Sequence, residues 1–217
     1  MIDLFERVLR IVGAAGLLLV WIIAGTAAAQ GRTRAVGRGF GLAPRWGALA
    51  SYLLVAVPYF AVWVVLWTPL PGTPPTWMRL GALVVAAPLG SAGLGLYLWG
   101  RFTLGNMYNV SSSLGTELFA DHRLITTGPF RYVRHPMYTG IGLAALGGLA
   151  LYRTWSMVFA VASVPGLNIK AKHEEQLLAA EFGSTWSEYS TRVPAYWPRP
   201  EINRRLPVSS KGGSRHG

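Results

Sequence analysis

Apolar residues in this chain fall in long unbroken runs, not in the alternating or 3.6-residue stripes of a soluble domain. The first run covers roughly residues 11–30, the second extends from Gly47 to Thr68, and the third covers roughly 79–100. Each is long enough to cross a hydrocarbon core about 30 Å thick. Pro58 lies inside the second run, a position that packed neighbouring helices tolerate. Between the second and third runs Pro69, Pro71, Gly72, Pro74 and Pro75 mark a short connection. The third run is rich in small residues (Gly90, Ser91, Ala92, Gly93, Gly95), which allow close helix packing.

From Arg101 to Pro136 the pattern turns amphiphilic. A fourth apolar run then ends near Tyr152, and Arg153-Thr154 reads as the tip of a tight helical hairpin. A fifth helix starts about Trp155, with a kink expected at Pro165-Gly166, and continues into the charged stretch Lys170–Glu181. The pattern predicts an all-α integral membrane bundle of about five transmembrane helices, with a C-terminal helical hairpin and a C-terminal helix in the cytoplasm. Three parts follow: residues 1–100 with three N-terminal helices, 101–198 as the core carrying the hairpin, and 199–217 as a basic Gly/Ser-rich tail expected to be disordered. The first run also fits a signal peptide, with Arg7 and Arg10 before it and Ala27-Ala28-Ala29 as a cleavage site. The membrane helix is the favoured reading. No internal repeat is present.

Composition agrees with a bilayer as solvent. Hydrophobic residues make up 52% of the 217 and charged residues 13%, against about 25% charged in soluble domains. The mean hydropathy is +0.35. A net charge of +11 would suit a nucleic-acid binder. Here, however, the basic residues sit between apolar runs, which argues against nucleic acid as partner. Arg32, Arg34, Arg38 and Arg45 lie between runs one and two, and Arg101, Arg123, Arg131 and Arg134 between three and four. Lys170, Lys172, Arg192 and Arg199 follow the fifth. The opposite side holds Arg79, Arg153, and an N-terminus where Asp3 and Glu6 balance Arg7 and Arg10. The positive-inside rule then places the N-terminus outside and the C-terminus in the cytoplasm. Cysteine is absent, which excludes disulfides, thiolate nucleophiles and Cys-based metal sites. The four histidines lack a two-His helical spacing, so no metal site is expected.

Two polar clusters carry the candidate chemistry. The first is Gly128-Pro129-Phe130-Arg131-Tyr132-Val133-Arg134-His135-Pro136-Met137-Tyr138-Thr139-Gly140. Pro136 suits the first turn of a helix, whose free N–H groups favour an anionic ligand. Arg131 and Arg134 add charge-assisted donors. The same residues also fit a role as interfacial anchors with an aromatic belt, and both readings stand. The second cluster is Lys170-Ala171-Lys172-His173-Glu174-Glu175, leading to Leu178, Phe182-Gly183, Trp186, Tyr189 and Val193-Pro194. Paired acids near a membrane exit are costly and point to function, although a solvated helix face also accommodates them. Glu181 and Glu188 fit that solvated face, and Leu178 and Phe182 fit packing. A hairpin of roughly 30 residues separates the clusters and returns its ends to one membrane face. Arg134, His135 and Tyr138 are therefore expected to meet Lys170, Glu174 and Glu175.

These motifs resemble those of the isoprenylcysteine carboxyl methyltransferase and phospholipid methyltransferase superfamily. The pattern is Arg-His-Pro-x-Tyr-x-Gly, then Glu-Glu, then Phe-Gly, Tyr and Val-Pro. It is matched by Arg134, His135, Pro136, Tyr138 and Gly140, by Glu174 and Glu175, and by Phe182, Gly183, Tyr189, Val193 and Pro194. A weaker match begins at Gly100-Arg101-Phe102 and runs through Leu124 to Gly128; in all, about residues 95–198 are covered. The resemblance implies a helical fold and S-adenosylmethionine as cofactor at the cytoplasmic end of the bundle. By the same resemblance His135, Tyr138, Gly140, Glu175, Arg131 and Lys170 are expected to hold the cofactor, and Arg134, Glu174 and Glu175 to be catalytic. The expected partners are a lipophilic or lipid substrate and the bilayer itself.

Lys170 is a departure, since relatives often carry an Arg shortly before the paired acids. Lysine keeps the charge but loses the planar fork. If that Arg orients a substrate carboxylate in relatives, this chain prefers another acceptor. No Gly-rich strand-to-helix fingerprint is present; Gly93-Leu94-Gly95 lies inside an apolar helix and reads as packing. Two other classes are weighed. Membrane sterol-type reductases share the Arg-His-Pro-x-Tyr step and use NADPH, but continue with Phe-Gly-Glu, whereas Tyr138 is followed by Thr139-Gly140-Ile141. A non-enzymatic assembly or transport protein would use the same charges structurally.

Overall fold

The computed structural model describes residues 2–31, 36–109 and 114–198. The basic tail at 199–217 lies outside the described residues. The chain is mostly helical: α1 (Ile2–Gly31), α2 (Ala43–Trp46), α3 (Ala48–Val65), α4 (Thr76–Leu104), α5 (Pro136–Tyr152), α6 (Trp155–Ser163) and α7 (Leu167–Arg192). Two helical stretches, Ile2–Ala27 and Thr76–Met107, are long and apolar enough to cross a membrane; Leu49–Val65 and Pro136–Tyr152 are shorter apolar helices. Their outward faces are apolar. Leu18 and Val57 are each 61% exposed, Val84 72% and Val65 76%. A belt of exposed aliphatic side chains on three helices makes sense where the surrounding solvent is hydrocarbon.

The tightest helix pair is α4 with α5, and glycine is the reason. A Cβ on Gly93 would lie 2.6 Å from the Gly140 carbonyl oxygen, and one on Gly147 would lie 2.7 Å from the Gly90 nitrogen. The two backbones touch with nothing between them, as small-residue seams allow. At the far end of the hairpin Arg153 adopts the left-handed conformation that ends α5, and Thr154 begins α6. This tip is stitched to the tip after α3: Leu70 N–H donates to Arg153 O at 2.8 Å, and Trp155 N–H to Thr68 O at 3.0 Å. The kink expected at Pro165-Gly166 is a 3-10 turn, Val164–Gly166, between α6 and α7. A second break falls within α7, where Gly183 has φ 51°.

One correction concerns the all-helical expectation. A two-stranded antiparallel sheet pairs β1 (Val36–Gly41) with β2 (Gly115–Phe119), with Gly39 opposite Glu117. It joins the α1–α3 connection to the α4–α5 connection, and both strands pack on α7. Arg38 of β1 donates to Glu181 of α7 at 2.7 Å, and the Phe40 ring lies 4.1 Å from that of His173. The polar connections expected to share one face are thus in contact.

The opposite end carries the other group of charges. Glu6 is buried and accepts from Arg10 at 2.6 Å, from Arg79 at 2.7 Å, and from Arg153. Asp3, mostly exposed, joins Arg79 at 2.5 Å. One carboxylate therefore ties α1 to α4 and to the hairpin tip. Removing a buried partner strands the remaining charges and costs about 3 kcal/mol. Glu6→Ala should lower the thermal unfolding midpoint in detergent by several degrees, whereas Asp3→Ala should leave it close to that of the unaltered protein.

Candidate functional site

The start of α5 and the middle of α7 meet. Pro136 begins α5 with His135 just before it, and the hairpin brings α7 back beside this end. Arg134 Nε donates to Glu175 Oε1 at 2.9 Å, and His135 Nε2 lies 2.8 Å from the same oxygen. Tyr138 Oη donates to Glu174 Oε1 at 2.5 Å. Lys170 Nζ sits 5.5 Å from the centre of the Tyr138 ring. Lys170 and Glu174 are one helical turn apart, so they share a face of α7.

The segment after α7 folds back over this cluster. Backbone N–H groups of Arg134 and His135 donate to the carbonyls of Pro194 (2.8 Å) and Ala195 (2.9 Å). Arg134 Nη1 donates to the carbonyls of Ser190 and Val193, both at 2.7 Å. Tyr189 Oη donates to Phe130 O at 2.7 Å. The Tyr138 ring stacks on His135 at 5.5 Å, with an interplanar angle of 10°, and Tyr196 lies 5.6 Å away on another side. His135 is thereby fixed in orientation as well as in hydrogen bonding. Trp186, Tyr189 and Val193 form a buried cluster against Leu124, Leu178 and Phe182, so Leu178 and Phe182 do pack.

A cavity of about 1030 Å³ opens from this cluster into the helical bundle. Arg134, His135, Tyr138, Gly140, Lys170 and Glu174 line it at one end. Its remaining walls are mostly apolar and come from α1, α3, α4, α5 and α6, including Val20, Ala56, Phe60, Leu94 and Ile141. The volume stands at the upper end of the range for small-molecule sites, about 300–1,000 Å³.

The sequence-derived candidates separate by position. Glu174 faces the cavity, while Glu175 lies behind it, engaged by Arg134 and His135. Arg134, expected to be catalytic, lines the cavity and directs three N–H bonds to Glu175, Ser190 and Val193. Arg131, expected to bind cofactor, is exposed, lies 5.1 Å from the Tyr132 ring, and is not part of the cavity wall. It ends the 3-10 turn Gly128–Arg131, whose buried residues are Pro129 and Phe130. Gly140 has a packing role, since a Cβ there would meet the Gly93 carbonyl. Two features went unforeseen in the sequence: Tyr196, whose ring flanks His135, and Glu117, a buried acid of β2 that lines the same cavity.

Fold and site together define a mostly helical, membrane-type protein with a charged pocket opening into an apolar interior. Residues 89–180 match the model of the isoprenylcysteine carboxyl methyltransferase (ICMT) family. The protein-S-isoprenylcysteine O-methyltransferase of Schizosaccharomyces pombe is 30% identical over 112 residues, 51% of this chain and 48% of that protein. A protein named nickel-cobalt-cadmium resistance protein NccN, from Alcaligenes xylosoxydans xylosoxydans, is 29% identical over 131 residues (59% and 55%). Methanethiol S-methyltransferase 2 of Bradyrhizobium diazoefficiens is 36% identical over 76 residues (35% and 29%). The chain thus spans about half the length or less of these curated relatives. These matches bear out the resemblance to the ICMT-like superfamily.

Burial alone would raise the Glu175 carboxyl, but the hydrogen bonds and charges of His135 and Arg134 outweigh it and hold it below its ordinary value of 4.5. A depressed carboxylate contributes stability above its unfolded value, and that stability is lost as pH falls through the folded value. The unaltered protein should lose stability as pH falls below the ordinary value of 4.5 and through the folded value. In Glu175→Gln that acid-dependent loss should be shallower, and a lower midpoint should already be present at neutral pH, both read by thermal unfolding across pH.

Proposed function

We propose that this chain transfers a methyl group from S-adenosylmethionine to a lipophilic acceptor that reaches the cavity from the bilayer. The observation that carries the reading is the continuity of the charged pocket with the apolar cavity. The family match and the relatives named as methyltransferases support it. In this reading the protein is a five-helix membrane enzyme with its N-terminus outside and its site on the cytoplasmic face. Residues 101–198 form its methyltransferase core.

The residues present suit the cofactor. Its amino-acid end carries an ammonium and a carboxylate, and Glu174 and Lys170, one turn apart, offer the complementary pair. Tyr138 and His135 complete the polar end. When bound, S-adenosylmethionine supplies an electrophilic methyl group on a sulfonium. The chain's part is to align and to exclude water. Glu175 and Arg134 hold His135 and the segment at 193–196 in place. The apolar walls keep the acceptor's tail dry.

Isothermal calorimetry on detergent-solubilised protein tests this. Saturable binding of S-adenosylmethionine is expected. Glu174→Gln and Lys170→Ala should each weaken it about tenfold or more, the value of one charge-assisted hydrogen bond. Arg131→Ala should leave it unchanged. Binding of NADPH in its place would assign the site to the reductase class instead, and binding of neither would leave a shared fold without the chemistry.

A further inference from the structure

A second pocket, of about 430 Å³, lies at the end of the bundle away from the candidate site. Arg7 and Arg10 of α1, Arg79 of α4 and Arg153 of the hairpin tip line it, together with Asp3 and Glu6. Four guanidinium groups thus meet two carboxylates, which leaves two positive charges in excess. Both carboxylates are engaged. Glu6, buried, holds Arg10, Arg79 and Arg153, and Asp3 holds Arg79. Arg7 is exposed and has no ion pair among the described residues. Arg10 gives one nitrogen to Glu6, while its Nε is buried with no hydrogen-bond partner among the described residues. A buried N–H without an acceptor is costly, and an anion in the pocket would supply one.

The surroundings of the pocket point to the kind of anion. Trp67, Trp77 and Trp155 are 43%, 70% and 46% exposed. Trp77 stands two residues before Arg79, and Trp155 N–H donates to Thr68 O in the joint that also carries Arg153. Exposed indoles at helix ends favour the level of the lipid headgroups, because the ring is apolar and its N–H polar. Ile11 and Leu18 follow Arg7 on the same face of α1 and are 63% and 61% exposed. An acyl chain attached to an anion at Arg7 would lie along them. Guanidinium groups suit phosphate in particular, through paired, charge-assisted N–H bonds.

We propose that this pocket binds a phosphate group carried by an anionic phospholipid of the surrounding leaflet. Arg7 and the Nε of Arg10 supply donors that the two carboxylates leave untaken. The lipid joins α1 to the guanidinium groups of α4 and of the hairpin tip, so the bound form unfolds at a higher temperature. The proposal stands apart from the methyltransferase reading, since this pocket shares no lining residue with the larger cavity.

Native mass spectrometry and thermal unfolding of the full-length protein in detergent test this. The probes are didecanoyl phosphatidylglycerol, didecanoylglycerol and inorganic phosphate. Phosphatidylglycerol should bind saturably, at least about tenfold more tightly than the diacylglycerol that lacks the phosphate, and should raise the unfolding midpoint. Arg7→Gln should weaken that binding about three- to fivefold, and Arg7→Gln with Arg10→Gln should weaken it further. Asp3→Asn removes a competing charge and should tighten it about twofold, a gain that a purely structural ion-pair cluster would not give. Arg131→Ala, at the other end of the bundle, should change nothing. If the Arg10 variant does not fold, Arg7→Gln and Asp3→Asn, with opposite expected signs, decide the matter. Inorganic phosphate that binds as tightly as the lipid, with the same dependence on Arg7, would keep the phosphate site and overturn its lipid source. No saturable binding, equal binding of didecanoylglycerol, or binding indifferent to both Arg7→Gln and Asp3→Asn would overturn the proposal.

Discussion

One guanidinium organises the polar end of this protein. Arg134 stands just before α5, yet its donors reach the middle of α7 at Glu175 and the C-terminal carbonyls of Ser190 and Val193. Backbone hydrogen bonds from Arg134 and His135 to Pro194 and Ala195 run alongside. Three stretches of chain about 40 and 60 residues apart are thereby fixed to one another. The planar fork matters because it satisfies a carboxylate and two carbonyls at once, which a lysine in the same place does not do. With Glu175 held by this fork and by His135, the adjacent Glu174 is left on the face that turns toward the cavity. The paired acids divide by position, one held by Arg134 and His135 and the other facing the cavity.

This arrangement requires that α4 and α5 stay in register, which their glycines accomplish without polar contacts. In a bilayer there is no hydrophobic gain from bringing two apolar helices together, so close backbone approach and dispersion must supply the association. Gly93 against Gly140 and Gly147 against Gly90 provide it along most of α5. The far end is closed by the Glu6 cluster. The bundle is thus pinned by charge at both ends and by contact in the middle. Its exposed aliphatic belt lies between the two charged ends.

The apolar runs and the hairpin were legible because a membrane helix must satisfy its backbone within one continuous segment, and that requirement is visible as run length. Convergence of the two motifs followed from the hairpin alone. What local patterning left open was direction. Arg131 and Arg134 are the same residue type three positions apart, and only the fold-back of the segment after Val193 decides which one turns inward. The β1–β2 pair was hidden for a related reason. Val36–Gly41 is half glycine, shows little alternation, and finds its partner some 75 residues further on. A strand whose existence depends on a distant partner leaves almost no periodic trace.

The hidden strand bears on chemistry as well as on shape. Motif residues describe one wall of the cavity, the one built by α5 and α7. The segment joining α4 to α5, where Thr116 and Glu117 lie, contributes another part of the lining. In a site where two reactants meet, a shared motif belongs naturally to the reactant that all members share. Residues outside it are free to follow the reactant that differs. The named relatives include enzymes for an isoprenylcysteine and for methanethiol, two acceptors with little in common beyond receiving a methyl group. The connection between α4 and α5, outside the motif, is therefore where a difference between relatives should be read.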